Sequence, residues 1–461
     1  MHCHIQRQRR AGTVLGVALT VCAVSGCAQA PDARVSLGGA AGQHAPITLT
    51  LKDALALAGK NDPALLAATS DALAAREDGR QARAALYPTL SGRSEYLGTQ
   101  GNGQIASGRF VTNDGVHVYR DWAVVHQDLS PGLLARTVVR RASAGEAIAR
   151  AKVEIARRGL AATVTKDYYA LVAAQRKQET AQLALEQAQH SLKISEQLEA
   201  GREVAHSDVV KSQLQENALQ QALEESKLLA ENTRLDLAVL LFRDFDEQFT
   251  VVDDLAAMPV LPALNDVEEM AVRGNPTLAA AVATLKADKL DTAIARQALL
   301  PTLTVDAVYG IEANAFALHS TVAAFKELGP LPNLGYFVTA SLNIPIWDWG
   351  ARRSKIRQSE FKQEQAGVEL SATQRVLVRN LRGFYDEAQV ARKQIELLKH
   401  AVDLAAEGQR LYTLRYQAGE STILELVDAQ TGLTQARNAY DDGLVRYRLA
   451  IGNLQTLTGS F

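Results

Sequence analysis

The sequence predicts a mainly α-helical chain with a small membrane-type β component: long antiparallel coiled-coil hairpins and four strands, built as one unit twice over. Three observations carry this. First, Leu86-Tyr87-Pro88-Thr89-Leu90 returns 213 positions later as Leu299-Leu300-Pro301-Thr302-Leu303. At the same offset Asp53 meets Asp266, Pro63 meets Pro276, Arg83 meets Arg296 and Tyr96 meets Tyr309. A register kept without gaps over that span marks a duplicated structural unit. Second, each copy contains stretches that alternate with period two, the signature of a half-exposed strand. Third, each copy contains a proline-free helical stretch, roughly 133–199 and 351–417. At 1.5 Å per residue such a helix reaches on the order of 100 Å, far beyond what a compact domain uses.

Composition narrows the function classes. A formal net charge of −2 and a pI near 6.5 argue against a nucleic-acid binder that depends on phosphate attraction. Aromatic residues make up only 5% while Ala and Leu abound, which suits long helices packed through small side chains. The His residues are scattered without ligand spacing, and no phosphate-cradling Gly-Lys loop or nucleophile elbow occurs. We therefore expect no enzyme activity, no metal and no cofactor.

The start of the chain reads as a lipoprotein signal over residues 1–26. Arg7, Arg9 and Arg10 precede an apolar run from Val14 to Val24, and Ser25-Gly26 sit just before Cys27. The run is shorter than the ~20 residues a bilayer-spanning helix needs. Cleavage before Cys27 would discard Cys3 and Cys22 and leave Cys27 for acylation by chains such as palmitate, so no disulfide is expected. Ala28 stands where an Asp would resemble an inner-membrane retention signal, which favours the outer membrane. Residues 27–47, with Pro31, Gly38, Gly39, Gly42 and Pro46, read as an extended tether.

The two repeats are expected over 48–260 and 261–461. Thr50 and Asp53 have capping-box spacing at a short first helix, which ends near Gly59. Asp62-Pro63 and Asn275-Pro276 each restart a helix, with a side-chain cap followed by proline at the first helical position. Those helices end at Pro88 and Pro301. Strand pairs follow at about 89–129 and 302–346. In the second, Leu303, Val305, Ala307 and Tyr309, and then Tyr336, Val338, Ala340, Leu342, Ile344 and Ile346, form one apolar face. The first pair repeats the plan less cleanly, around a loop rich in glycine (Gly98, Gly101, Gly103, Gly108).

Four strands with an apolar face toward lipid still leave two open edges, which a bilayer does not tolerate, so closure requires other copies of the chain. Trp122, Trp347 and Trp349 are placed near strand ends, where an interfacial aromatic belt is expected. Helical hairpins follow at about 133–243 and 351–458. In the second, Leu426, Leu433, Tyr440, Tyr447 and Leu454 recur every seven residues, with Ala429, Ala436, Gly443, Ala450 and Leu457 as a small-residue seam. Leu397, Leu404 and Leu411 are expected to continue this packing on the partner helix, and Leu219, Leu223, Leu237 and Leu240 to hold comparable places in the first hairpin.

This plan resembles that of the TolC-type outer-membrane efflux proteins, in their lipidated OprM-like branch. The most specific stretch is Tyr416-Gln417-Ala418-Gly419-Glu420-Ser421 through Leu426-Val427-Asp428, similar to the family's second periplasmic turn and the helix after it. The resemblance implies a homotrimer: a twelve-stranded barrel in the outer membrane and a coiled-coil tunnel in the periplasm. Its partners would be outer-membrane lipid, a periplasmic adaptor and an inner-membrane pump, which alone supplies energy. Its cargo would be drugs or other toxic small molecules, with a type I protein exporter's duct or a non-conducting envelope lipoprotein as alternatives.

Glu425 and Asp428, three residues apart on one helical face, would then form a ring of carboxylates at the aperture, with pKa values raised by crowding. The resemblance maps Tyr416 and Asp208 to residues that link helices at the closed aperture, and Ala200-Gly201 and Ala418-Gly419 to the turns that meet the adaptor. Ser421 departs from the pattern, standing where a gate-linking Arg is implied, while Arg415 and Lys211 lie nearby.

Overall fold

The computed structural model describes residues 47–99, 116–242, 248–313, 316–319 and 332–459. The signal, Cys27, most of the tether and the loop glycines at 101, 103 and 108 lie outside the described residues.

The duplication is written into the elements. A short strand β1 (Ile47–Leu49) leads into α1 (Leu51–Asn61) and α2 (Pro63–Ala84), then β2 (Thr89–Thr99) and β3 (Val116–Asp128). A one-turn α3 (Pro131–Leu134) precedes the long hairpin of α4 (Thr137–Ala200) and α5 (His206–Leu241). After the short β4 (Phe249–Val251), the plan repeats as α6 (Leu264–Gly274), α7 (Pro276–Gln297), β5 (Thr302–Ala313), β6 (Leu334–Asn343), α8 (Ala351–Gln417) and α9 (Ile423–Thr458). The caps repeat too. Asp62 accepts the Leu65 amide at 2.6 Å and Asn275 accepts the Leu278 amide at 3.0 Å, while Thr50 and Asp53 form the expected capping box.

β2, β3, β5 and β6 form one antiparallel sheet in that order. One face carries Leu90, Tyr96, Tyr309, Tyr336, Val338 and Leu342, all exposed. The other face is polar: Arg120 sits between Glu95 at 3.2 Å and Glu312 at 3.0 Å, and His126 Nδ1 lies 2.7 Å from Asp306 Oδ1. β6 stops at Asn343, short of the expected Ile346, because Pro345 has no N–H to give a ladder.

Trp122 corrects an expectation. It stands in mid-strand, paired with Arg93 and Gly310, on the same face as Arg120. Its ring meets Phe337 edge-on at 5.7 Å. Gly310, on the strand between them, leaves the indole its path. Trp347 and Trp349 do lie just beyond a strand end; they are 75% and 90% exposed and in edge contact at 5.6 Å.

The main core lies where both hairpins meet α1 and α6, around Tyr168, Tyr169, Leu237, Leu241, Leu381, Ala388, Ile395 and Tyr447. The segment between the repeats is strapped across it. Tyr168 Oη donates to Val252 O at 2.7 Å, Tyr447 Oη to Pro259 O at 2.6 Å and Tyr385 Oη to Pro262 O at 3.1 Å. Arg176 bridges Asp253 and the buried Asp441 at 2.5 and 2.8 Å. β1 pairs in parallel with β4, so the entering chain and this strap share a two-stranded ladder.

The heptads of α9 are packed inward: Leu426, Leu433, Gly443, Tyr447, Ala450 and Leu454 are buried. In the first hairpin Leu223 and Leu237 are buried, with Leu219 and Leu240 half-buried. On α8 the expectation fails. Leu397, Leu404 and Leu411 are 71%, 61% and 46% exposed, whereas Leu381, Ala388 and Ile395 face α9. Two heptads run along this helix, and positions two residues apart lie roughly 200° apart around its axis. The small-residue row is the one admitted between the helices.

Candidate functional site at the helical tip

The far end of the two hairpins is closed by two turns of related design. After α8, Gly419 adopts a left-handed φ of 69°, and the Glu420 amide reaches back to Arg415 O at 2.8 Å. This is a Schellman closure, for which glycine is the natural residue. After α4 the same closure links the Glu203 amide to Leu198 O at 2.8 Å, but the left-handed residue is Arg202 (φ 59°). Gly201 keeps φ −74°. The Ala-Gly pairs thus occupy both turns, but only Gly419 supplies the left-handed backbone expected of each.

Glu425 and Asp428 are both exposed on the first turns of α9. Glu425 is the third residue of a capping box. Its carboxylate accepts from Ser421 Oγ at 2.7 Å and from the Thr422 amide at 3.0 Å, and its own amide donates to Thr422 Oγ1 at 3.4 Å. These bonds, Ser421 first, hold its pKa below the ordinary glutamate value. Within one chain this is the reverse of the expected rise, because the charged form is the one the helix start hydrogen-bonds.

Ser421 therefore works as part of the cap. Arg415 is taken up by the turn, reaching Glu420 O at 3.3 Å and lying over the Tyr412 ring. Lys211 lines a groove of about 280 Å³ with Leu214, Gln215, Ile423, Leu424 and Val427. Neither cation pairs with Asp208, which forms no ion pair among the described residues.

Tyr416 corrects a second expectation. It is buried at 1% exposure in an apolar plug with Ile194, Ile423 and Leu426. Its hydroxyl lies 2.7 Å from Ser195 Oγ on α4 and is not bonded to the Asp208 carboxylate. Burial pushes its pKa up, with the Asp208 charge adding to the rise, so it is a neutral hydroxyl at physiological pH. Ser195 Oγ also lies 2.9 Å from Ser212 Oγ on α5, and Gln430 Nε2 on α9 donates to Ser191 Oγ at 2.8 Å. Sequence reasoning missed these four residues. The one available signal was Ser191 and Ser195 at i,i+4 spacing within an otherwise apolar helix face.

The comparisons agree with this architecture. The sequence pattern of the family described as "Outer membrane efflux protein" matches residues 268–460. The chain is 28% identical over 327 residues to the pyoverdine export outer membrane protein OpmQ of Pseudomonas aeruginosa, covering 68% of this chain and 63% of that one. It is 25% identical over 162 residues to the outer membrane protein TolC of Escherichia coli, covering 35% and 33%. The match spans less than two thirds of either relative's length. Among solved structures, the CmeC outer membrane channel of Campylobacter jejuni superposes with a TM-score of 0.76 at 17% identity, covering 89% of this chain and 85% of that one. The outer-membrane channel OprN gives 0.75 at 19%, covering 89% and 90%. With the family's pattern across its second repeat and the channel fold along nearly its whole length, this chain belongs to the TolC-type outer membrane efflux proteins.

Proposed function

We propose that three copies of this chain close into an outer-membrane exit duct that passively exports small toxic molecules. An inner-membrane pump would drive it through a periplasmic adaptor seated on the turns at Ala200-Gly201 and Ala418-Gly419. The observation that carries this reading is the unclosed sheet. β2 and β6 each have a neighbour on one side only among the described residues, and the face bearing Tyr336 and Leu342 is open. A bilayer admits such a sheet only when it is closed on itself. The strands are 11, 13, 12 and 10 residues long, enough for tilted spanning strands, which need about 9–11.

The exposed heptad row of Val390, Leu397, Leu404 and Leu411 supports assembly below the membrane, since a coiled-coil stripe of this kind is normally covered by another helix. A second copy fits it. Cys27 would carry the lipid anchor, and Trp347 and Trp349 would lie at the inner membrane–water boundary. Glu425 and Asp428 would meet their counterparts at the tip as a ring that favours cations.

Planar-bilayer recording of the purified mature chain tests this. Cation-preferring pores are expected, and E425Q with D428N should weaken the preference. Unchanged selectivity ends the acidic-ring assignment; a water-soluble single chain with no inserted sheet ends the duct.

A further inference from the structure

Three hydroxyls, on Tyr416, Ser195 and Ser212, meet at the buried tip with four contacts among them and the main chain. Tyr416 Oη lies 2.7 Å from Ser195 Oγ, and Ser195 Oγ 2.9 Å from Ser212 Oγ. Ser195 Oγ also lies 3.1 Å from Ser191 O, and Ser212 Oγ 3.1 Å from Asp208 O. A hydroxyl has one proton to donate, so three protons cannot make four bonds at once.

Tyr416 has one hydrogen-bonding neighbour among the described residues, Ser195. A buried phenol in an apolar plug is costly without its bond, so its proton goes there. If Ser195 then donates to Ser212, and Ser212 to Asp208 O, all three protons are used in one unbroken line from α8 through α4 to α5. If Ser195 instead donates back along α4 to Ser191 O, the two serines face each other with no proton between them at 2.9 Å, and α5 is released from the line.

We propose that Ser195 is the latch of the closed tip: it relays the Tyr416 hydroxyl through Ser212 to the main-chain carbonyl of Asp208, and its change of acceptor to Ser191 O is the unlatched state. The proposal rests on reading the tip as the closed end of the duct. The line ends on backbone, so the Asp208 carboxylate, which only accepts from its neighbour Ser207 at 3.4 Å, is not part of it. Gln430 adds the fourth helix from the other side. Its amide bonds Ser191 Oγ, one turn from Ser195, so α8 and α9 are both held on the same face of α4. No charge is needed at any step. This explains how a chain with Ser421 in its turn, and with Arg415 and Lys211 both unpaired with Asp208, still ties its two hairpins together.

The test places spin labels at Lys211 on α5 and Gln417 at the end of α8, both exposed. Labelled chains are diluted into unlabelled ones so that distances within one chain are read. Ser195→Ala should raise the ratio of separated to closed tips by about tenfold, the factor that corresponds to ~1.4 kcal/mol. Tyr416→Phe, which removes one oxygen and keeps the plug filled, should do the same. The double variant should go no further than either single one, because both cut the same line, and Asp208→Asn should match the unmodified chain. Additive single effects, an unchanged distance in both Ser195→Ala and Tyr416→Phe, or separation caused by Asp208→Asn would overturn the latch. Bilayer conductance of the same variants separates this from the underlying reading. Tips that part without any rise in conductance would leave the latch standing and remove the tip's role as the aperture.

Discussion

Gly310 is the position at which the sheet has least room. A Cβ added there would come within 2.1 Å of Asp121 O and 2.8 Å of Trp122 Cα, both on the neighbouring strand. Carbon–oxygen contacts between strands normally lie at about 3.3–3.6 Å, so β3 and β5 must separate by roughly 1 Å locally. Unlike a clash with the end of a flexible side chain, this one cannot be relieved by a rotamer change. Two ladder bonds beside the Trp122–Gly310 pair would weaken, at ~1 kcal/mol each. The edge contact of Trp122 with Phe337 adds about 0.5–1.5 kcal/mol. Gly310→Ala should therefore destabilise the sheet by ~2–4 kcal/mol. Gly335, directly opposite Gly310 on β6, is the control, since a Cβ there meets nothing within 4 Å; its Ala variant should stay within about 0.5 kcal/mol of the unmodified protein. Denaturant unfolding in detergent, followed by Trp122 emission in a chain lacking Trp347 and Trp349, reads both. Equal midpoints for the two variants would refute the close-approach argument.

Four further outcomes follow from the geometry. Gly419→Ala should cost ~1–2 kcal/mol through its left-handed φ, whereas Arg202→Gly should stabilise the other turn by a fraction of that; thermal unfolding measures both. Arg176→Ala leaves the buried Asp441 unpaired and should cost about 3 kcal/mol, while Arg80→Ala removes a fully surface pair and should cost under ~0.5 kcal/mol. Glu425 has its pKa lowered on folding, so the stability it adds to the start of α9 is present above the ordinary glutamate value. That stability is lost as pH falls through the depressed one; hydrogen exchange at Leu424 to Leu426 should show this, and Glu425→Gln should abolish the pH dependence. Tyr168→Phe removes the donor to Val252 O and Leu49 O, and should speed proteolysis between the repeats.

The sequence revealed most where local chemistry decides the structure. The 213-residue echo, the Asp-Pro and Asn-Pro restarts and the Thr50 capping box depend on neighbours within a few residues, and each stands where the residues put it. The α8 stripe was misplaced for a different reason. A heptad states that a face is apolar and does not say which partner covers it, and Leu397 and Ile395 satisfy the pattern equally well on opposite sides of one helix. Trp122 failed in the same way, because alternation gives two faces and a tryptophan can occupy either. The tip was least legible. Its serines carry no charge and no motif, and their meaning comes only from four helices converging on a space that no single helix defines.

That convergence suggests why the duplication has not stayed symmetrical. The two hairpins have return helices of equal length, 36 residues each, yet they bring different chemistry to the same end. The first supplies hydroxyls facing inward, Ser191, Ser195 and Ser212, and starts its return helix with Ala205, which makes no side-chain cap. The second supplies Tyr416 to meet them, and starts its return helix with a full capping box whose glutamate is exposed. Two identical hairpins would set hydroxyl against hydroxyl or tyrosine against tyrosine, and one side of each contact would lack its complement. Divergence between the repeats lets one hairpin hold and the other be held. It also leaves Glu425 and Asp428 free of the latch, so substitutions that alter ion preference at the tip should leave the distance between Lys211 and Gln417 unchanged. A shift in that distance in E425Q would show that the two functions share one set of contacts.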